Sequence, residues 1–558
     1  MLQPVLAFWA FHAPVLSVLL PAFTAVALLL LGDHGGMSAQ GGGHAMARLR
    51  WRRRLALLST ALGLVMAWGL VQRAGGGGLT VYELGQWPAP FGIVLVVDRL
   101  SALMVLLTSA VALPVLWYAC GGWDTRGRHF HAVFQFQLMG LNGAFLTGDL
   151  FNLFVFFEVL LIASYVLLLH GLGRERLRMG VHYVVLNLTA SALFLTGLAL
   201  VYATTGTLNM ADVALKVAAL QGGDADLARA ASMVLLIVFG LKAAMVPLYF
   251  WLPGTYAAAS APVAALFAIM TKVGVYSIIR MHWVIVGIDA GEVSLTAQSW
   301  LLPLALLTSV LGVLGALAAH SMARLVAYLT VSSVGTILAG VGLFTPEALS
   351  AALYYTLHST VVVAGLFLFV ELVAAQRGPV SDRLQPAPAV REPVLLGVMM
   401  LFGAASAAGL PPLPGFLGKL MILQSSAGLP AQGWVWTVVL VVGFLTIIGL
   451  ARAGVVLFWH VQPDTGSHDA GRSPRMLSAA VAFILLTVTM AILASPIKRY
   501  TDAAALQLAD KASYARAVLG RQGGAALPTT LPYDGSAGPF ERRLPAASPD
   551  SRATETKQ

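Results

Sequence analysis

The chain has 558 residues, 58% hydrophobic and only 10% charged, with a mean hydropathy of +0.82. Soluble proteins carry about 25% charged residues, so a soluble globular protein is excluded and a polytopic membrane protein is indicated. The net charge of +10 follows loop parity and is no nucleic-acid signal, and the single cysteine, Cys120, leaves no disulfide framework or cysteine-rich metal or iron–sulfur centre.

Crossing ~30 Å of hydrocarbon takes about 20 helical residues. On that criterion the sequence predicts an all-α polytopic protein of about fourteen transmembrane helices, at 13–31, 54–73, 98–119, 131–148, 150–170, 180–203, 231–258, 262–283, 299–319, 323–344, 347–374, 393–426, 433–458 and 475–496. Strand-type alternation is absent, which argues against a barrel. The apolar N-terminus lacks a basic region and a small-residue cleavage site, so 13–31 is expected to be a retained helix. Residues 32–47 read as a flexible loop, and the tail over 500–558 as a short Ala-rich helix that turns disordered after Gly520. No function is read in the tail.

The arginines mark alternate loops: Arg48, Arg50, Arg52, Arg53 and Arg54, then Arg126 and Arg128, then Arg174, Arg176 and Arg178, then Arg324, then Arg377, Arg383 and Arg391, and finally Arg472 and Arg475. The opposite loops hold Asp149, Asp224, Asp226, Asp289, Glu292 and Glu347. The positive-inside rule puts the arginines in the cytoplasm and both termini outside it.

Of the charges inside apolar spans, four stand out: Glu158 in the fifth, Lys242 in the seventh, Lys272 in the eighth and Lys419 in the twelfth. A charge at the bilayer centre costs roughly 2.5–3.5 kcal/mol on the lenient insertion scale, and such residues mark ion pathways. Glu158 lies roughly 12 Å deep at ~1.5 Å per residue. Removing an ammonium from water lowers its hold on the proton, and a nearby carboxylate restores it. Buried carboxylates and lysines in series therefore suit staged proton transfer. His358, in the eleventh span, titrates in the useful range but could equally be a packing residue. Ser332 and Ser333 could hold water or simply join helices. Asp149 and Glu371 stand near helix ends, and Asp98 with Arg99 reads as an interfacial pair.

Prolines interrupt two spans. Pro247 and Pro253 fall in the seventh; Pro411, Pro412 and Pro414 fall in the twelfth, between Gly409 and Gly415. Each helix is expected to break near mid-depth, where free backbone is tolerated only against protein or a water-filled cavity. Paired breaks point to inverted repeats: helices 4–8 (131–283) and 9–13 (299–458), after three N-terminal helices (1–130) and before a fourteenth (475–496).

GDLFNLFVFFEVLLIASYVLL, LKAAMVPLYFWLPGTYAAASAPVAALFAIMTKVGVYSIIR and GLPPLPGFLGKL resemble the D-type subunit of the multisubunit Mrp-type (Pha or Mnh) monovalent cation/proton antiporters, part of a wider group that includes complex I membrane subunits. The resemblance covers about helices 2–13. It implies a key glutamate at Glu158 and key lysines at Lys242, Lys272 and Lys419. It also implies assembly with other membrane subunits in a bacterial inner membrane, and export of Na⁺ or K⁺ against incoming protons. No enzymatic activity, cofactor or metal is expected. Asn152, in FNLFVFFEV, favours the D-type antiporter component over the alternative, a proton-pumping subunit of a complex I- or hydrogenase-type redox complex; a structural scaffold is the other rival. Many complex I relatives carry a histidine in helix 10 where this chain has Ser333, so water or His358 would have to fill that gap.

Overall fold

The structure is a computed structural model that describes residues 2–32, 42–462 and 473–520. The loop expected to be flexible lies partly outside these residues, and the tail beyond Gly520 wholly so.

Helices α1 (Leu2–Leu30), α2 (Gly42–Gly75), α3 (Arg99–Ala119), α4 (Phe130–Leu146), α5 (Leu150–Leu169) and α6 (Arg174–Thr205) come first. A short α7 (Met210–Val217) precedes α8 (Gly222–Ala243) and α9 (Trp251–Ala258). Then follow α10 (Ala261–Ile279), α11 (Gln298–Leu317), α12 (Met322–Gly342), α13 (Pro346–Ala374), α14 (Pro393–Ala408) and α15 (Pro414–Ser425). The described chain ends with α16 (Gln432–Phe458), α17 (Pro474–Ile492), α18 (Ala494–Ala509) and α19 (Lys511–Leu519). An antiparallel ribbon of β1 (Thr80–Glu83) and β2 (Val94–Val97), with Thr80 opposite Val97, leads into α3.

Eleven helices among the described residues are long and apolar enough to cross a membrane. The other three expected spans take different forms. One is the 17-residue α4, and the seventh and twelfth are the broken pairs α8–α9 and α14–α15. Helix length and composition thus support eleven spans, not the full fourteen. The first two helices also start earlier than expected, at Leu2 and Gly42.

α10 is the axis of the fold. Its residues from Pro262 to Ile279 are all buried, and it packs against α3, α8, α12 and α13. A helix apolar on every side has no preferred solvent face and is stable only when enclosed. Gly274 is essential to that enclosure: a Cβ there would stand 2.5 Å from Ala243 N and 2.8 Å from Phe239 O. The backbones of α10 and α8 therefore touch beside the first break.

The two ends of the bundle have distinct chemistry. At the arginine end, Arg53 Nε and Nη2 donate to Asp124 Oδ2 and Oδ1 at 2.6 and 2.7 Å, and His131 Nε2 lies 3.0 Å from Oδ2. Trp123 Nε1 donates to Glu371 Oε1 at 2.5 Å. At the other end, Asp98 caps α3 through Ser101 N and makes a buried ion pair with Arg280 at 2.5 Å. This corrects the expected Asp98–Arg99 pair. Arg99 instead donates from Nη2 to Gly75 O at 3.1 Å, and its own carbonyl accepts from Tyr500 Oη at 3.3 Å. The start of the tail is more than a loose helix: α18 packs on α13 and α3, and α19 on α7.

Asp149 caps α5 by accepting from Asn152 N at 2.8 Å. Burial pushes its carboxyl up to about 6, although the N–H groups of Asn152 and Phe151 pull it down. A raised folded-state value contributes stability that is complete below the unfolded value of 3.8 and lost as pH rises through about 6. Asparagine caps equally well and does not titrate. In thermal unfolding of the assembled complex, Asp149→Asn should therefore gain on wild type between pH 5 and pH 7.5; a pH-independent difference would contradict this burial.

Candidate functional site

The first cluster forms where α5, α6 and α8 meet. Tyr183, Asn187 and Ser191 recur at four-residue spacing along one face of α6. Ser191 Oγ donates to Glu158 Oε1 and also lies 3.0 Å from Asn187 O. Lys242 Nζ donates to Asn187 Oδ1 at 3.1 Å, and sits 5.9 Å from the centroid of the Phe157 ring. Glu158 and Lys242 are thus brought together without a direct ion pair. Two α6 side chains, Ser191 and Asn187, stand between them. Reasoning from charge alone passes over both, although an asparagine inside the apolar run VVLNLTASALFL is a usable signal.

Lys242 lies one residue before α8 stops at Ala243. Ala244 then takes the left-handed conformation. The freed backbone finds partners: Met245 N donates to Gly240 O at 2.8 Å, Val246 N to Thr308 Oγ1 at 3.0 Å, and Trp251 Nε1 to Leu241 O at 3.0 Å. Pro247 lies in the break itself, whereas Pro253 falls in the first turn of α9, where a missing N–H is harmless.

Lys272 is fully buried on α10. Its Nζ donates to Thr271 Oγ1 at 3.3 Å, a long contact. The Gly274 contact sets its turn against the end of α8 that carries Lys242. α10 also packs on α13, which carries His358.

The second cluster gathers at the other break. α14 ends at Ala408, Gly409 turns left-handed at φ +86°, and Pro414 opens α15. Lys419 Nζ donates to Ala408 O at 2.7 Å and reaches Ala407 O at 3.4 Å. Lys419 and His358 share a cavity of about 30 Å³, room for about one water, with Ser332, Ser333, Thr336, Tyr355 and Thr446 in its wall. His358 is 1% exposed, and its Nδ1 has no protein partner. Gly415 makes its approach possible, since a Cβ there would lie 2.6 Å from His358 Nε2. Ser333 therefore faces the shared cavity. Ser332 spends its hydroxyl on Ser309 O at 3.0 Å, as a helix contact.

Cys120, Asp124 and His131 place their ligand atoms within 4.8 Å of one another. Both Asp124 oxygens are already engaged by Arg53, so the donor set is that of an ion pair and fits a metal poorly.

The family model described as NADH:quinone oxidoreductase/Mrp antiporter, transmembrane, matches residues 147–449, which contain both clusters. The chain is 39% identical over 543 residues to the D-type component of a probable K⁺/H⁺ antiporter from Rhizobium meliloti, covering 92% of this chain and 98% of that one. It is also 39% identical over 445 residues to the corresponding D-type component of the Na⁺/H⁺ antiporter of Alkalihalophilus pseudofirmus, covering 79% and 89%. Among solved structures, a chain of the Mrp complex from Dietzia is 27% identical with a TM-score of 0.76, over 90% of this chain and 100% of that one. A chain of Thermus thermophilus respiratory complex I shares the fold, at 23% identity and a TM-score of 0.73 over 89% and 99%. The chain belongs to the NADH:quinone oxidoreductase/Mrp antiporter family of membrane proteins.

Proposed function

We propose that this chain is the proton-translocating, D-type subunit of a multisubunit monovalent cation/proton antiporter, a transporter component and not an enzyme in itself. The observation that carries the reading is a series of five titratable side chains in the bundle, with Lys242, Lys272, His358 and Lys419 buried and Glu158 half-buried. Glu158 and Lys242 meet through α6, His358 and Lys419 share the second cavity, and Lys272 lies on α10, which packs against both α8 and α13. The antiporter relatives at 39% identity favour antiport over the redox-complex reading, for which the likeness at 23% identity shows the fold alone.

In this reading the proton moves by stages. Ser191 and Asn187 hold Glu158 and Lys242 at one remove, so a small displacement of α6 or α8 changes their interaction without breaking a tight ion pair. The lysine on α10 receives the charge at the centre, and the cavity beside His358 supplies the water that Ser333 alone does not replace. The membrane potential contributes about 2.3 kcal/mol per charge per 100 mV, enough to drive a cation outward. Residues 131–283 and 299–458 are the two inverted repeats, each with its broken helix. The chain works in a bacterial plasma membrane with other membrane subunits, the arginine end in the cytoplasm and both termini outside.

Everted vesicles holding the assembled complex test this. Adding Na⁺ or K⁺ should release protons in wild type, and Lys242→Ala and Glu158→Gln should assemble normally with little exchange. Unchanged flux in both variants would move the path to a partner; flux lost only in proportion to assembly would make the charges structural. The α6 bridge generates a separate expectation. Asn187→Leu leaves the buried Lys242 ammonium without its partner, so exchange should fall by about tenfold or more, the effect of ~1.4 kcal/mol, while Asn187→Gln should retain more activity. Wild-type exchange in the leucine variant would remove Asn187 from the path.

A further inference from the structure

The double proline of the twelfth span does more than end a helix. In an α-helix the carbonyls of Ala407 and Ala408 would accept from the N–H groups four residues on. Those positions are Pro411 and Pro412, which have no N–H. Two carbonyls are therefore left open at the C-terminus of a 16-residue half-helix, where the aligned peptide dipoles place about half a negative charge. A tethered cation, the Lys419 ammonium, sits on both.

The surroundings extend this oxygen-rich end. Ser333 and Thr446 line the adjoining cavity and spend their hydroxyl protons on Thr330 O at 2.8 Å and Val442 O at 2.7 Å, so their lone pairs remain available. The buried, unpartnered Nδ1 of His358 belongs to the same wall. Gly443 of α16 leaves space beside the site, its added Cβ standing 3.8 Å from both Ala408 O and Lys419 Nζ. The first break has no such arrangement. There a neutral indole, Trp251 Nε1, caps Leu241 O, and Lys242 turns away to Asn187.

We propose that the Ala407 and Ala408 carbonyls, with Ser333 and Thr446, form a binding site for a monovalent alkali cation, and that the Lys419 ammonium and that cation occupy it in alternation. An ammonium group is close to K⁺ in size, and unwound carbonyls at half-helix C-termini are suited to such ions. Two positive charges cannot share one set of carbonyls in so small a cavity. This rests on the antiporter reading and gives it a place where the cation and the proton-carrying lysine exclude each other.

Equilibrium binding of ⁸⁶Rb⁺ and ²²Na⁺ to the purified complex tests the proposal. Lys419→Met removes the competing ammonium and should bind one or both ions about tenfold more tightly than wild type. Lys419→Arg keeps a fixed positive charge and should bind no more tightly than wild type. Equal affinity in all three overturns the site. Should the methionine variant not assemble, Thr446→Val in an otherwise wild-type chain removes one of the proposed oxygen ligands and should weaken binding; unchanged binding again overturns it. Cation-driven proton flux of the wild-type complex is read in parallel. Flux without the predicted binding changes removes this site alone, whereas a wild-type complex without flux removes the antiporter reading.

Discussion

Inside a bilayer there is no water to satisfy an orphaned peptide group or an isolated charge, and each one left alone costs several kcal/mol. That constraint shapes the centre of this protein. Two helices are broken there by proline, and each break is tolerated because side chains supply the missing partners. Thr308 and Trp251 do so at the first, and Lys419 at the second. The charges within the spans obey the same constraint: half-buried Glu158 takes a serine, and the buried Lys242 and Lys419 take an asparagine and a pair of carbonyls. Lys272 has the weakest partner and the deepest burial, at the centre of the most enclosed helix.

The two breaks resemble each other in sequence and differ in electrostatics. At the first, the helix end is sealed by a neutral donor and the lysine reaches sideways to α6. At the second, the lysine itself seals the end. A change in charge at Lys242 alters its relation to Glu158 through Asn187 and Ser191, whereas a change at Lys419 alters the backbone of the break. α10 lies between them, held against α8 by the absence of a side chain at Gly274. A larger residue there would push α10 away from the end of α8 that carries Lys242.

Much of this is legible in the chain because lipid demands continuous apolar runs, and departures from them stand out. Glu158, Lys242, Lys272 and Lys419 are conspicuous for that reason, as are the prolines of both breaks. Asn187 interrupts its apolar run in the same way, but its role and that of Ser191 depend on which face of α6 turns toward α5 and α8. The Asp98–Arg280 pair joins residues 182 positions apart and cannot be inferred from neighbours; proximity in sequence suggests Arg99 instead. The sequence marks α4 and the two broken pairs as apolar spans, but the left-handed turns that split each pair, at Ala244 and Gly409, depend on backbone geometry that composition does not carry. The packing of α18 and α19 is hidden in a tail whose composition shifts toward disorder only beyond them.

On the proposed path, one charged line runs through α10 and joins the two halves. The direct measurement is cation-driven proton movement by the assembled complex reconstituted in liposomes, comparing wild type with Lys272→Met. The substitution keeps the length and the apolar packing of the side chain and removes only its charge. The continuous line predicts a complex that assembles with its full set of subunits and moves almost no protons. Proton movement at the wild-type rate through an uncharged α10 would contradict it.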